Sequence, residues 1–550
     1  MVAWVRRVRT ASGSTAVQIA ESVAGRRRIV RHVGSARDEG ELGLLMEEAQ
    51  RLLEDDRQGV LDLGITPQAR QAAMIPAPRQ PALFGSAAAP APRRVVPRAR
   101  TLKTTSGLLY DVLAGVYADL GFGALGDEVF RDLVIARVVE PTSLLDVDRV
   151  LAEMGRVSAS LSTRKRTLRR CFDGNYRGRL AELCFAHVLG CGGVSLVLYD
   201  VTTLYFEAEH EDGLRKVGYS KERRVDPQVV VGLLVDRRGF PLEIGCFEGN
   251  KAEKHTILPV IDQFRARHGI ENFAVVADAG MLSAANLAAL DTAGCKFIVG
   301  SRLTKAPIDL ESHFRWHGDH FSDGQVIDTL TPRTGRNDDN DPALLAEPVW
   351  DPQAHPTSWR AVWAYSRSRA VRDTKTLTAQ ENRARDVITG GKAARVPRFV
   401  KTAKNGFVLD QTALARARRL AGLKGYVTNI PATVMPATEV ITSYHDLWHV
   451  EQSFRMSKTD LAARPMFART RDAIEAHLTI VFTALAISRT VQNRTGQSIR
   501  RVLRTLRPLR SATIEINGAI HTFPPALGPD ETTIINALQN PNPKALKQMT

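Results

Sequence analysis

The sequence feature that most constrains the fold is a single acid inside an apolar stretch. Asp200 stands in the middle of the run GVSLVLYDVTTLYF, residues 193–206. The β-branched and long aliphatic residues of this run are typical of a central strand buried on both faces. An unpaired buried carboxylate is so unfavourable that Asp200 needs an ionic, hydrogen-bonding or metal partner. The simplest alternative is that Asp200 ends the strand and caps a turn through Thr202 or Thr203.

Two further acids are candidates to meet Asp200. Asp278 ends the short apolar strand FAVVAD, and Glu451 lies on a helix predicted from Pro436 to Lys458. The competing acids are Glu207, Asp226 and Asp446. Asp200 is preferred over Glu207 because it lies inside the apolar strand.

Glu451 is preferred over Asp446 because of its position on the predicted helix. Tyr444, Glu451 and Lys458 follow one another at intervals of seven residues. Seven residues nearly complete two helical turns, with a drift of about 20°, so the three side chains would share one helix face. A Tyr, a Glu and a Lys on one face of an otherwise apolar helix suggest a functional site.

Three converging carboxylates would repel one another, and divalent cations would relieve that repulsion. A set of oxygen ligands favours Mg²⁺ or Mn²⁺. Two such ions roughly 3.5–4 Å apart would activate a water or a 3′-hydroxyl and stabilise the leaving oxygen of an in-line phosphoryl transfer. The sequence therefore predicts a two-metal site built from Asp200, Asp278 and Glu451.

The charge of the chain favours a polyanionic partner. Lys and Arg number 75 against 59 Asp and Glu, which gives a net charge of +16. A basic excess of this kind suits nucleic acid. The run Arg164, Lys165 and Arg166 lies on a predicted helix that could rest on DNA. The alternative is an ordinary face of a helical bundle.

Cysteine usage and hydropathy bear on the compartment. The five cysteines form no CxxC pair, so neither a disulfide framework nor a zinc site is indicated, and a reducing cytoplasm is expected. No stretch is expected to reach the roughly eighteen apolar residues of a membrane span, and no signal-peptide core is apparent at the N-terminus.

Periodicity and composition divide the chain into seven segments. The strand and helix order of residues 191–300 is that of an α/β fold of the ribonuclease-H type. The tail from about residue 528 is expected to pack poorly. The predicted segments are a β-meander with a helix (1–72), a Pro/Ala-rich linker (73–105), a helical DNA-binding region (106–190), the first part of the α/β core (191–300), a β-rich insertion (301–422), the second part of the core (423–495) and a C-terminal segment (496–550).

Three motifs in order resemble those of a known family. They are YDVTTLYFE (199–207), VVADAGMLS (275–283) and YHDLWHVEQSFRMSK (444–458). The chain resembles the DDE transposases of bacterial insertion sequences, within the insertion sequence 4 superfamily and closest to the insertion sequence 1634 group. The resemblance covers roughly residues 100–490. It implies a ribonuclease-H-like core interrupted by a β-rich insertion, and DNA cleavage at transposon ends followed by strand transfer.

The resemblance also assigns residues. It makes Asp200, Asp278 and Glu451 the metal ligands, and it places Tyr444 and Lys458 against the DNA near the cleaved end. The family has an Arg between its Tyr and Glu, and that position is Leu447 here. The nearest substitute is Arg455, one turn after Glu451, with a solvated face as the alternative.

Aromatic residues of the insertion are candidates for a second DNA contact. In relatives that cut through a DNA hairpin, an aromatic residue of the insertion stacks on a flipped base. Trp359 or Trp363 could do this here, although a Trp in a β-rich segment is more often part of the core.

The sequence thus predicts a Mg²⁺- or Mn²⁺-dependent transposase. Its partners would be the terminal inverted repeats and a target duplex, with a homodimer forming on DNA in the bacterial cytoplasm and no membrane partner. The alternatives are a non-catalytic DNA-binding protein derived from such an element and a nuclease that cuts structured DNA without strand transfer. No GxxxxGK[ST] motif is present, so ATP use is not suggested.

Overall fold

The protein is described by a computed structural model that divides into two compact units, Met1–Arg94 and Val95–Thr550. The first unit is described at residues 3–9, 15–23, 26–36 and five positions between 42 and 49. The second is described over 99–539, apart from 208–209, 220–224, 281–282, 335–342, 344, 391–396 and 404–405. Residues 73–98 of the predicted linker therefore lie outside the described residues, whereas residues 99–105 form a strand, so the linker prediction was wrong for them.

The first unit contains a three-stranded antiparallel sheet. Strands β1 (Ala3–Arg9), β2 (Thr15–Val23) and β3 (Arg26–Ala36) pair in sequence order, which is the arrangement of a β-meander. Their alternating pattern places Val17 and Ile19 on one face, where they pack against Ala49. Most of the helix predicted near residues 37–56 lies outside the described residues.

The second unit begins with strand β4 (Ala99–Thr105) and a run of helices. Asp127, Ser160 and Asn175 cap three of these helices by accepting a backbone N–H hydrogen bond. The helices are α1 (Gly107–Asp119), α2 (Glu128–Val139), α3 (Val147–Glu153), α4 (Leu161–Asp173) and α5 (Tyr176–Gly190).

An eight-stranded mixed sheet forms the centre of the unit. Its order is β10-β11-β14-β9-β8-β5-β6-β7. Strand β5 is parallel to β8, β8 is parallel to β9, and the other neighbours are antiparallel. The strands are β5 (Leu196–Tyr205), β6 (Gln228–Asp236), β7 (Pro241–Glu248), β8 (Ala274–Ala277), β9 (Lys296–Ser301), β10 (Val326–Pro332), β11 (Ser358–Tyr365) and β14 (Leu423–Thr428).

The part of this sheet built from residues 196–301 follows the order expected for the core. Three antiparallel strands, β5 to β7, are followed by α6 (Ile257–His268), β8, α7 (Ala284–Thr292) and β9. The helical crossovers return β8 and β9 parallel to β5, which is the usual outcome of such connections. This mixed α/β sheet is consistent with a ribonuclease-H-like fold.

The segment predicted as a β-rich insertion differs from that expectation. Strands β10 and β11 extend the central sheet through β14 instead of forming a subdomain of their own. This position in the sheet buries the apolar run of β11, from Ser358 to Trp363. The remaining elements are mostly helical: α8 (Ala306–Asp309), α9 (Glu311–Trp316), α10 (Arg367–Ile388), the hairpin of β12 (Val400–Ala403) and β13 (Gly406–Leu409), and α11 (Gln411–Arg419).

The helix predicted from Pro436 to Lys458 is broken in two. Helix α12 (Ala437–His445) ends before Asp446 and Leu447, and α13 (Trp448–Thr459) follows. At the junction, the N–H groups of Leu447, His449 and Val450 donate to carbonyls three residues earlier. Such bonds belong to a tighter turn with three residues per turn, which separates the two helices. The prediction of one continuous helix was therefore wrong, and the shared face of Tyr444, Glu451 and Lys458 stays a prediction.

The longest helix, α14 (Arg471–Thr495), lies between the helical region and the sheet. It contacts α2, α4, α13 and β7. Among the described residues it is the one helix with the length and hydropathy of a membrane span, so the expectation that no stretch reaches that length was wrong. In this fold 94% of its apolar window is buried, as in the core helix of a globular domain.

The C-terminal elements are packed, contrary to the prediction for the tail. Strands β15 (Ser511–Ile516) and β16 (Ala519–Phe523) form a sheet in which β15 also pairs with β4. Two helices, α15 (Ile499–Leu506) and α16 (Pro529–Gln539), complete this end. Helix α16 buries Ile534, Ile535 and Leu538, because its apolar residues recur at helical spacing.

Candidate active site

Asp200 and Asp278 lie side by side in the central sheet. In the parallel pair of β5 and β8, Tyr199 is opposite Ala277, and the two acids are the residues that follow. Neighbouring strands are about 4.8 Å apart, and residues at matching positions point to the same face. The sheet therefore brings both carboxylates to one place, where β8 ends and β5 continues.

Asp200 does not end its strand. Strand β5 runs on through Thr202 and Thr203 to Tyr205, paired with β6 throughout, so the alternative of a strand-ending turn cap was wrong. The Oδ1 atom of Asp200 accepts a 2.8 Å hydrogen bond from the N–H of Val201. The side chain is half-buried.

The face of the sheet that carries the acids is covered by α12 and α13. Tyr199 points to the opposite face, where its hydroxyl donates to Thr256 beside α6. Thr202 is on the same face as Asp200, and it lines a cavity together with Phe454 and Lys458 of α13. Lys458 therefore lies close to the Asp200 end of the site.

Tyr444, from α12, contacts the other acid. Its hydroxyl donates a 2.6 Å hydrogen bond to Oδ1 of Asp278. Gly300 on β9 makes room for this contact, because an added Cβ atom there would lie 2.6 Å from the Tyr444 hydroxyl. Burial raises the pKa of Tyr444 well above its usual value, and the Asp278 carboxylate raises it further. The hydroxyl therefore stays protonated and acts as a donor.

Glu451 is exposed in the first turn of α13. Its charge contributes to the raised pKa of Tyr444. The backbone around Glu451 is fixed from α14 by Arg489, whose guanidinium donates to the His449 carbonyl (2.7 Å), to Gln452 (2.7 Å) and to Ser453 (2.6 Å). Arg489 thus holds the turn of α13 from which the Glu451 side chain extends.

The carboxylate oxygens of the three acids are the type of donor that a hard divalent cation binds. Asp200 and Asp278 are adjacent carboxylates, and Glu451 extends from the helix that covers the same face of the sheet. Oxygen ligands of this type are those that Mg²⁺ and Mn²⁺ prefer. Within the described part of the chain, no three Asp, Glu, His or Cys side chains are close enough together to hold a metal ion. The register of β5 and β8 places Asp200 and Asp278 next to each other, and the convergence of all three acids stays a prediction.

A comparison with known families decides the classification. The profile of the family described as "Transposase DDE domain" matches residues 193–487, which is more than half of the chain. The chain belongs to this family of DDE transposases. The matched region, called the transposase domain below, contains all three acids.

Comparisons with curated proteins and with solved structures do not extend this classification. Among curated proteins none matches the chain. One similar solved structure is a cryo-EM structure of piggyBac transposase in a synaptic complex with hairpin DNA. It is 9% identical, and the alignment covers 73% of this chain and 79% of that one with a TM-score of 0.35. A TM-score of this size is too low to support a shared fold.

Two predicted DNA contacts of the transposase domain lie on α13. Lys458 is half-buried and lines the cavity beside Thr202, whereas Arg455, three residues earlier on the helix, is exposed. Leu447, at the position of the family Arg, is buried in the turn between α12 and α13. Arg455 is therefore accessible, and its role as the substitute for the missing Arg stays a prediction.

The basic run before the transposase domain is divided between core and surface. Arg164 is 2% exposed and donates to the Leu144 carbonyl (2.7 Å) and to Asp148 (2.8 Å), so the prediction that it contacts DNA was wrong. Its place on α4 turns it toward α3, and its guanidinium links the two helices. Lys165 and Arg166 are exposed and stay candidates.

The two Trp candidates for base stacking are core residues. Trp363 is fully buried and donates to Asp309 (3.0 Å). Trp359 is 3% exposed and packs edge-on against Phe297. Both rings fill the space beneath the central sheet, because β11 is an inner strand of it. The prediction that either ring stacks on a flipped base was therefore wrong for this conformation.

The competing acids are arranged differently from the site acids. Asp446 forms a 2.7 Å ion pair with Arg237 at the junction of α12 and α13. Glu207 is exposed beyond the end of β5, and Asp226 precedes β6. None of the three follows the last paired residues of β5 and β8, Tyr199 and Ala277.

Sequence reasoning missed two cations near Tyr444. Lys424 of β14 has its Nζ atom 3.5 Å from the Tyr444 hydroxyl, and Arg369 of α10 lies close enough to influence the pKa of Lys424. The signal for Lys424 was present, since it is the one charged residue in the strand sequence LKGYVT. Lys424 is thus the single charged residue of β14, just as Asp200 is the single charged residue of β5.

Proposed function

We propose that this chain is the transposase of a bacterial insertion sequence, of the insertion sequence 4 superfamily and its 1634 group. It would cut DNA at the terminal inverted repeats of its element and join the freed ends to a target duplex. The observation that carries the proposal is the register of the adjacent strands β5 and β8, which places Asp200 and Asp278 next to each other inside the transposase domain.

The proposed roles follow from position. Asp200, Asp278 and Glu451 would hold Mg²⁺ or Mn²⁺. When bound, two such ions activate a nucleophilic oxygen and neutralise the leaving oxygen in phosphoryl transfer. Tyr444 fixes the orientation of Asp278 through its hydroxyl. Lys458, beside the Asp200 end, would bind the DNA backbone as a point charge.

The charge of the chain supports duplex DNA as the partner. A net charge of +16 favours association with a polyanion. Exposed Lys165 and Arg166 are proposed as further phosphate contacts. Synapsis of two transposon ends would require at least a homodimer on DNA. The bacterial cytoplasm is the proposed compartment, in keeping with five cysteines that are all free thiols.

The test is a cleavage assay with the full chain. The substrate is a labelled duplex that carries the inverted repeats flanking the gene, with Mg²⁺, Mn²⁺ or EDTA. We expect metal-dependent cuts at the repeat boundary. Asp200→Asn, Asp278→Asn and Glu451→Gln should abolish cutting and keep DNA binding, whereas Glu207→Gln, an exposed acid near the end of the same strand, should still cut.

The outcomes separate the alternatives. Metal-dependent nicking that persists in Asp200→Asn and Glu451→Gln would overturn the assignment of the ligands. Tight binding without cutting by the parent protein would favour a non-catalytic DNA-binding protein. Cutting of branched DNA without joining to a target would favour a structure-specific nuclease.

A further inference from the structure

Lys424 lies at the Asp278 end of the site, and Arg369 of α10 is close enough to influence its pKa. The ammonium of Lys424 lies 3.5 Å from the Tyr444 hydroxyl and 4.8 Å from the centre of its ring. The same hydroxyl donates to Asp278, so the cation is separated from the carboxylate by a single phenol oxygen. Lys424 reaches this place from β14, an inner strand of the central sheet.

Arg369 influences the pKa values of two groups in this cluster. Burial lowers the pKa of Lys424, the Asp278 charge opposes that change, and the Arg369 charge adds to it. The pKa of His445 is lowered by burial and then by Arg369 and Lys424. Arg369 therefore acts on both groups from α10.

Within the described part of the chain, neither cation has a carboxylate in direct contact. Among the residues that the structure describes, no carboxylate oxygen lies within 4.0 Å of the charged nitrogens of Lys424 or Arg369. Both side chains are half-buried, and a partly desolvated cation without an ion pair is unfavourable. An anion bound between them would relieve that cost.

We propose that Lys424 and Arg369 bind a phosphate of the DNA backbone next to Asp278, and so supply the cation that is missing at Leu447. This inference rests on the proposed function, because DNA is the anion that a transposase brings to Asp278. A Lys and an Arg suit a phosphate and carry no base code, so the contact is independent of sequence. Leu447 itself is buried in the turn just after Tyr444 and offers no charge.

The test is the salt dependence of DNA binding by the full chain without metal. Lys424→Gln, Arg369→Gln and the double variant are titrated against a fluorescent duplex that carries one inverted repeat. The plot of log K against log salt has a negative slope, and its magnitude should fall by about 0.9 for each lost phosphate contact. If parent and variant bind equally at 1 M salt, the variant then binds about eightfold more weakly than the parent at 0.1 M salt. Lys424→Arg should restore most of the slope.

Two exposed cations serve as controls. Lys401→Gln on β12 and Arg383→Gln, four turns further along α10 than Arg369, should leave the slope unchanged. Thermal unfolding midpoints within a few degrees of the parent would show that the variants are folded. An unchanged slope in the double variant would overturn this inference alone. Failure of the parent protein to bind the duplex would overturn the proposed function together with it.

Discussion

The hydroxyl of Tyr444 lies 2.6 Å from Oδ1 of Asp278, and the contact joins the covering helix to the end of a central strand. Tyr444 is 7% exposed and its ring packs edge-on against Tyr426. The carboxylate is therefore held by a donor that has little freedom to move. The relationship fixes one acid of the site before any substrate arrives.

Removal of that hydroxyl tests its role. We expect Tyr444→Phe to lower the free energy of unfolding by about 1.5–3 kcal/mol, the usual range for a hydrogen bond to a charged group. Cleavage should fall roughly tenfold or more, because Asp278 loses its orientation. Tyr426→Phe is the matched control, since its hydroxyl lies 3.4 Å from His445 and makes no contact with Asp278. Equal losses in both variants would contradict a specific role for the Tyr444 bond.

The close approach of Gly300 to the same ring gives a second prediction. A Cβ atom at this position would lie 2.6 Å from the Tyr444 hydroxyl and 3.2 Å from Cβ of Ala279. Gly300→Ala should therefore cost about 1–3 kcal/mol of stability and displace the tyrosine from Asp278. Gly115→Ala in α1, where a Cβ atom meets nothing within 4 Å, should instead be neutral or stabilising. Chemical denaturation of the two variants makes the comparison, and an unperturbed Gly300→Ala protein would argue against the tight contact.

Arg489 provides a test of how α13 is held. Its guanidinium is 1% exposed and binds the turn that carries Glu451 through three residues. Arg489→Lys keeps the charge but loses the planar fork, so we expect a loss of about 2–3 kcal/mol. The cleavage rate of Arg489→Lys should fall by more than the loss of folded protein accounts for. Arg501→Lys on the exposed face of α15 is the control. Similar free energies of unfolding and cleavage rates for the two variants would show that the guanidinium fork of Arg489 is dispensable.

Asp309 predicts a pH dependence of stability. This carboxyl is fully buried beside the Trp363 indole, and desolvation raises its pKa from 3.8 to about 7. The folded state therefore holds a proton that the unfolded state releases above pH 4. This group makes the free energy of unfolding fall as the pH rises from about 4 to about 7.

A neutral amide at position 309 should remove this contribution to the dependence of the free energy of unfolding on pH. Asp309→Asn keeps an acceptor for the indole N–H and does not ionise, so its stability should vary less between pH 4 and 7 than that of the parent. Asp111→Asn, at an exposed position on α1, should leave the profile unchanged. Denaturation midpoints at intervals of one pH unit measure the difference. Parallel profiles for the parent and Asp309→Asn would contradict the prediction.

The sequence predicts the centre of the domain well, for a physical reason. Apolar strands that each end or contain one acid can be read from alternation and composition alone, and Asp200 and Asp278 meet because helical crossovers place their strands in parallel. The preference for Asp200 over Glu207 used the same argument. The assignment of all three acids as ligands stays a prediction.

Other features depend on contacts that periodicity does not encode. The break between α12 and α13 changes three hydrogen bonds and leaves the apolar pattern untouched. Arg164 looks like its exposed neighbours in the sequence, yet it faces Asp148 of the preceding helix. Trp363 is buried because β11 joins the central sheet, and that pairing spans residues 358–428, with α10 and α11 between the two strands. Long-range pairings of this kind decide burial only once the chain has folded.

The pairing of β4 with β15 has a consequence for biosynthesis. Strand β4 leaves the ribosome more than four hundred residues before its partner, which at about 5–20 residues per second is a wait of roughly 20–80 s. During that time one edge of the nascent chain has no strand to pair with. Arg100 and Lys103 lie on this strand, and charges of this kind discourage association with other chains. The growing polypeptide therefore carries its own protection against aggregation until its last sheet can close.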